Sequence, residues 1–228
     1  LADGYALQID SLLFQYAGAG GMGFVLRVPS LKVSAGEQVV LTGKSGSGKS
    51  TLLQLIAGLM EPERGRVIVS GQDIHALHGA RRDRFRGRSI GMIFQTFNLL
   101  TGFSALENVM AAMMFSSIPA HDHKSRAGQL LASLGIDRPN QLAERLSVGQ
   151  QQRVAVARAV ACEPVLVLAD EPTASLDPES AAASMDLIQR VCRERGAALV
   201  CVSHDPAMPA RFARAERLDA LALQGAPA

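Results

Sequence analysis

The chain has 228 residues, enough to bury a full core as one domain or as one domain with a sizeable insertion. Its 23 basic and 21 acidic side chains leave a net charge of +2, too little to make nucleic acid the main partner. Three scattered cysteines, Cys162, Cys192 and Cys201, lack C-x-x-C spacing and read as reduced thiols serving as small core hydrophobes, which fits a cytoplasmic protein.

Residues 5–16 and 24–33 alternate apolar and polar side chains and predict two strands, with the glycine-rich Ala17–Gly23 as their hairpin connection. Tyr16 ends the first strand and is a candidate to stack on an adenine ring, a contact worth ~1–3 kcal/mol. Phe14 competes for that role, and an aromatic simply covering the sheet edge explains Tyr16 equally well. The apolar run Gln38–Thr42 predicts a buried strand and Leu52–Ala57 a helix. Between them Gly43, Lys44, Ser45, Gly46, Ser47, Gly48, Lys49, Ser50 and Thr51 fit G-x-x-x-x-G-K-[ST] at every fixed position. Such a loop turns its backbone N–H groups and a helix N-terminus toward phosphate. Lys49 is placed to reach the β- and γ-phosphates, and the Ser50 hydroxyl to ligate Mg²⁺. The expectation is a nucleoside triphosphate site.

Gly65–Gly71 predicts a further strand, which with the first two makes an antiparallel sheet beside the nucleotide. The basic run Arg81–Arg88 reads as a solvated helix face, with an anionic membrane or a phosphate as the sharper option. His75, His78, His121 and His123 have no metal-ligand pattern and read as surface histidines. The longest uncharged stretch, Ser89–Leu106, is broken by Gln95, Asn98 and two glycines, so it is not expected to span a membrane. Within it Ile90–Phe94 predicts a short strand. Gln95 at its end is placed to offer an oxygen to Mg²⁺ or to orient a water while sensing the γ-phosphate.

Residues 104–116 and 122–134 read as helices, the first opening on a Ser104–Glu107 capping box and continuing with a methionine-rich face. Phe97–Leu100 together with Met110, Met113 and Met114 suits a groove for a helix of a partner. Ser147 is a good N-cap for the helix that follows, and with Gly149 and Gln150 it makes a second anion site. Two such sites so far apart in sequence imply a nucleotide shared between two subunits.

Val165–Pro172 reads as a central parallel strand ending in two carboxylates beside the phosphate loop. Asp170 is placed for the Mg²⁺ shell, and Glu171 to act as general base on the attacking water. A helix over about 178–195 and a strand over Ala197–Val202 follow. His204 then contacts the γ-phosphate or, on a plainer reading, caps a strand–helix turn.

Taken in order, these parts resemble the ATPase subunit of ABC transporters over essentially the whole chain. Tyr16 matches the adenine-stacking position, Gly43–Thr51 Walker A, and Gln95 the Q-loop. Leu146–Gln150 matches the signature, Asp170 and Glu171 Walker B with its catalytic glutamate, Ser175–Asp177 the D-loop and His204 the switch histidine. Within the family, Leu168–Thr173 and the stretch from Leu99 to Val109 look like the lipoprotein-release and macrolide-efflux group, LolD-like and MacB-like. Val148 departs from the glycine usual in the signature, and the alanine-rich tail is short.

The resemblance implies a single α/β ABC ATPase domain over 1–228: a RecA-like P-loop core with an antiparallel β subdomain, 1–95 and 164–228, and an inserted α-helical subdomain, 96–163. It implies ATP and Mg²⁺ as cofactors, and a homodimer in the ATP-bound state. It also implies an integral-membrane permease as partner and a peripheral place at the cytoplasmic face of the inner membrane. Catalysis would fall to Lys49, Gln95, Glu171 and His204, and the metal to Ser50, Gln95 and Asp170. Two alternatives stand beside transport. One is an ABC ATPase acting on nucleic acid, disfavoured by the modest charge and by the short span between Gln95 and Ser147. The other is a module that signals through its permease without moving cargo.

Overall fold

The first two expected strands do pair, and the alternation that predicted them is what seats their apolar side chains on one core. In the computed structural model residues 4–16 and 24–223 are described; the expected hairpin connection Ala17–Gly23 lies outside them. In chain order the elements are β1 (Tyr5–Gln15), β2 (Val25–Ser34), β3 (Gln38–Thr42), α1 (Lys49–Ile56), β4 (Arg64–Val69), β5 (Gln72–Asp73), α2 (Ala80–Ser89) and β6 (Ile90–Ile93). There follow α3 (Ala105–Met113), α4 (His123–Ser133), α5 (Val148–Val160), β7 (Leu166–Asp170), α6 (Pro178–Glu194), β8 (Ala198–Ser203), β9 (Arg214–Arg217) and α7 (Leu218–Leu223).

Two sheets result. One is antiparallel, in the order β2-β1-β4-β5, and the other parallel, in the order β6-β7-β8-β3-β9. The central parallel strands β3, β7 and β8 are buried on both sides, and each successive side chain enters a different core. Val39, Leu41, Leu166, Leu168, Val200 and Val202 join α1 and the antiparallel sheet in one apolar cluster. Val40, Val167, Ala169, Leu199 and Cys201 face the other way and join residues of α3, α4, α5 and α6 in a second. The architecture is therefore an α/β cassette, with a parallel P-loop sheet and an antiparallel β subdomain.

Several expectations need adjusting. The carboxylates ending β7 do lie beside the phosphate loop, where Ser50 bonds Asp170, although β8 separates β7 from the phosphate-loop strand β3. The polar segment Arg214–Arg217 adds an edge strand that apolar periodicity does not reveal; its charges suit an edge. The arginine run is indeed helical, in α2, where Phe85 is buried while Arg81, Arg84 and Arg88 are exposed. His78 and His121 are exposed, but His123 is buried and bonds the Ile118 carbonyl at 2.9 Å. His75 is held between Glu61 and the Leu55 carbonyl, at 3.1 and 3.0 Å. The methionine face divides: Met113 and Phe97 enter the core, whereas Met114 and Leu100 stay exposed. Cys192 and Cys201 are core residues as expected, and burial pushes the Cys192 thiol up to about 12.

Candidate functional site: a nucleotide cleft at the carboxyl end of the parallel sheet

Register decides which loops meet. Thr42 aligns with Ser203, Asp170 with Val202, and Ile93 with Ala169. The phosphate loop, the carboxylate pair, His204 and Gln95 therefore all leave the sheet at its carboxyl end, where open α/β sheets bind ligands.

The loop after β3 closes around its own lysine. Lys49 is only 7% exposed, and its Nζ donates to the carbonyls of Gly43 and Lys44 at 2.9 and 3.1 Å. The same Nζ lies 3.7 Å from Glu171 Oε1. Gly48 caps α1 with φ 91°, a conformation that favours glycine, and a Cβ there would displace the tip of the Phe24 ring, which lies 2.5 Å from it. With no side chain at the cap, the first N–H groups of α1 remain free to receive an anion. The Ser47 hydroxyl is buried without a hydrogen-bond partner among the described residues.

Ser50 Oγ donates to Asp170 Oδ1 at 3.0 Å. Burial pushes the Asp170 carboxyl above its usual range; the Ser50 hydroxyl offsets part of this and the neighbouring Glu171 charge adds to it. Glu171 adopts the left-handed φ of 46°, disfavoured for a non-glycine residue and typical of functional strain. That turn aims its carboxylate at His204. Oε1 lies 2.8 Å from His204 Nδ1, and Oε2 accepts the His204 backbone N–H at 3.2 Å.

These groups open onto one cleft of about 580 Å³, lined by Tyr16, Phe24, Ser45, Gly46, Gly48, Lys49, Ser50, Thr51, Gln95, Glu171 and His204. Tyr16 is exposed, with Phe14 buried edge-on beneath it at 4.8 Å and Phe24 tilted beside it at 6.1 Å. The buried Phe14 is thus a support for the aromatic wall. Phe24 is a wall residue that sequence reasoning did not single out. Its signal was its place opposite Tyr16, whose N–H bonds the Phe24 carbonyl at 2.9 Å. Gly43, Lys44 and Ser47 are not among the cleft-lining residues, although the first two supply the carbonyls that hold Lys49.

Ser147, Gly149 and Gln150 are not brought to this cleft. They open α5, where Ser147 and Gln150 form a capping box with bonds of 3.3 and 3.0 Å. Gly149 and the exposed Val148 border a separate cavity of about 670 Å³ shared with Ser175, Leu176 and Asp177.

Ser50 and Asp170 together offer two hard oxygens, one of them a carboxylate that burial leaves in want of positive charge, and this donor set fits a magnesium ion. Among the described residues no cluster of three or more His, Cys, Asp and Glu could hold a metal unaided. A magnesium here would complete its shell from substrate oxygens and water.

Known proteins resemble the chain in sequence and in fold. The sequence profile described as ABC transporter matches residues 26–174. An uncharacterized ABC transporter ATP-binding protein of Thermotoga maritima is 43% identical over 181 residues, 79% of this chain and 77% of that one. The lipoprotein-releasing system ATP-binding protein LolD of Shewanella sp. is 39% identical over 209 residues, 91% of this chain and 90% of that one. A dimeric structure of MJ0796, described as a bacterial ABC transporter cassette, superposes with TM-score 0.79 at 32% identity, over 93% of this chain and 94% of that one. A dimeric post-hydrolysis state of the same cassette, bound to ADP and Pi, gives 0.73 at 32% identity, over 87% and 88%. With a profile match over more than half of its length and relatives at about 40% identity, the chain belongs to the ABC transporter family, as one of its ATP-binding ATPase subunits.

Proposed function

We propose that two copies of this subunit close head to tail over two ATP molecules and so drive a separate integral-membrane permease, for export or for lipoprotein or lipid extraction across the bacterial envelope. The observation that carries this reading is the split of the machinery. Lys49, Ser50, Gln95, Glu171 and His204 line one cleft, while the Ser147-capped end of α5 lies outside it. A second copy is the source that can bring Ser147, Gly149 and Gln150 over the nucleotide. The 39% identity to a lipoprotein-releasing ATP-binding protein supports the choice of cargo class.

In this mechanism Lys49 and the N–H groups of the loop Gly43–Thr51 hold the β- and γ-phosphates, and Tyr16 supports the adenine. Ser50, Asp170 and Gln95 would hold magnesium, which would neutralise phosphate charge. Glu171 takes the proton of the attacking water at its carboxylate, and His204, fixed by the two contacts to Glu171, keeps that water in line. Residues 96–163 act as a helical subdomain that swings against a core of 1–95 and 164–228. The groove after Gln95, with Leu100 and Met114 exposed, receives the permease, which holds the subunit at the cytoplasmic face of the inner membrane. Among the described residues no helix is long and apolar enough to cross a membrane.

Mixing two damaged subunits tests the shared site. Ser147→Arg protein should fold and bind ATP through Lys49 yet fail to close, because a bulky charge sits in the interface. Added to Lys49→Ala protein, it forms a dimer with one site built from two native halves. ATP-dependent dimers should then reappear on size exclusion. If Ser147→Arg alone dimerises and hydrolyses normally, Ser147 is only a cap. For the cargo, proteoliposomes containing the permease should release an acylated lipoprotein on adding ATP; hydrolysis without release would favour the signalling alternative.

A further inference from the structure

The segment just after Gln95 is strained and then clamped from far along the chain. Phe97 and Asn98 are consecutive non-glycine residues in the left-handed region, with φ of 59° and 47°. A bulky side chain such as phenylalanine does not keep that conformation unaided. Arg158, in the last turn of α5, supplies the constraint. Its Nη2 donates to the Phe97 carbonyl at 2.6 Å and its Nη1 to the Asn98 carbonyl at 2.5 Å. This is a two-toothed grip by two separate nitrogens of a rigid planar fork, which the single flexible nitrogen of an ammonium does not reproduce.

The guanidinium has no carboxylate within ion-pair distance among the described residues. Burial alone holds its pKa below the usual arginine range. A charge kept partly out of water on neutral carbonyls is costly to retain, and what it does here is fix one backbone turn. That turn is secured from its far side too: Leu100 N–H bonds Asn108 Oδ1 at 2.7 Å, and Asn108 is fully buried. Gln95 is thus the exposed, cleft-lining end of a segment whose following residues cannot relax.

We infer that Arg158 is a positioning residue for ATP hydrolysis, which fixes the Phe97–Asn98 turn and through it the reach of Gln95 into the nucleotide cleft. It rests on the role proposed above for Gln95. Its consequence is mechanical. One end of α5 carries Ser147 and the other grips the turn after Gln95, about 16 Å away along the helix at 1.5 Å per residue. The two ends of α5 thus link the Ser147 end to the segment that feeds the cleft of its own subunit.

The test is a double-mutant cycle on the purified full chain, read as steady-state kcat and KM for ATP. Arg158→Ala should lower kcat about tenfold to a hundredfold, the scale of small misplacements, with KM within about twofold. Gln95→Ala should lower kcat as well, and the double variant should be no slower than Gln95→Ala alone. Free guanidinium added to Arg158→Ala should restore several-fold activity, and should restore none in the double variant. Arg158→Lys keeps the charge and the stem but not the fork, so it should stay well below wild type; it also serves as the reading if Arg158→Ala does not fold. The inference is overturned if the two losses multiply independently. It is overturned equally if a variant at 158 melts earlier yet turns over at the wild-type rate. Should Gln95→Ala itself hydrolyse normally, the Gln95 assignment is what has failed, and the inference falls with it.

Discussion

Replacing Glu171 with glutamine separates two accounts of the same side chain. The carboxylate faces His204 Nδ1 at 2.8 Å and Lys49 Nζ at 3.7 Å, and takes the His204 N–H at 3.2 Å, while only 12% of the side chain is exposed. Glutamine keeps the shape and one oxygen for that N–H, but its amide cannot accept a proton from water. If Glu171 is the general base, its loss removes about 10²–10⁴-fold of rate, or roughly 3–5 kcal/mol of barrier. If it is only a structural partner of Lys49 and His204, the cost is a charge-assisted hydrogen bond, about 1.5–3 kcal/mol of stability, with kcat left nearly intact. Phosphate release, ATP binding and thermal melting on the same purified, permease-coupled variant distinguish the two. We expect turnover to collapse while ATP binding and ATP-dependent dimers persist. Turnover near the wild-type level would refute the base assignment.

Three further outcomes follow from the geometry. Burial raises the Asp170 pKa, so the native chain keeps a proton that the unfolded chain has lost, and stability falls as pH rises from the ordinary carboxylate range through the raised value. Nucleotide-free Asp170→Asn should therefore melt above wild type at about pH 7, with the advantage gone by about pH 3; an advantage that does not change with pH would contradict this. Tyr16→Ala should weaken ATP binding by about five- to 150-fold, matching ~1–3 kcal/mol of stacking, and leave inorganic triphosphate binding unchanged; equal loss for both ligands would remove Tyr16 from the adenine. A Cβ at Gly91 would lie 2.1 Å from the Ala159 carbonyl oxygen, so Gly91→Ala must push β6 off α5. About 1–3 kcal/mol of stability should be lost by urea titration, and an unchanged midpoint would deny that close approach.

What the sequence determined by itself is what depends on neighbours along the chain. The phosphate loop is a run of contiguous backbone groups, the Ser104 capping box and the Ser147 N-cap each act within four residues, and the apolar runs report strands buried on both faces. The placement of β8 between β3 and β7 was decided only in three dimensions, since strand order follows from how helices cross over the sheet and no local period encodes it. The same holds for Phe24 joining Tyr16 in the cleft wall, His123 turning inward, and Met113 and Met114 parting company at the end of one helix. The grip of Arg158 on residues 60 and 61 positions away is a further case. Its chemistry is a guanidinium meeting two carbonyls, but those carbonyls converge only after a strained turn and a distant helix have been packed together. Residue type and spacing specify what a side chain can do; which partner it meets is set by packing that closes long loops.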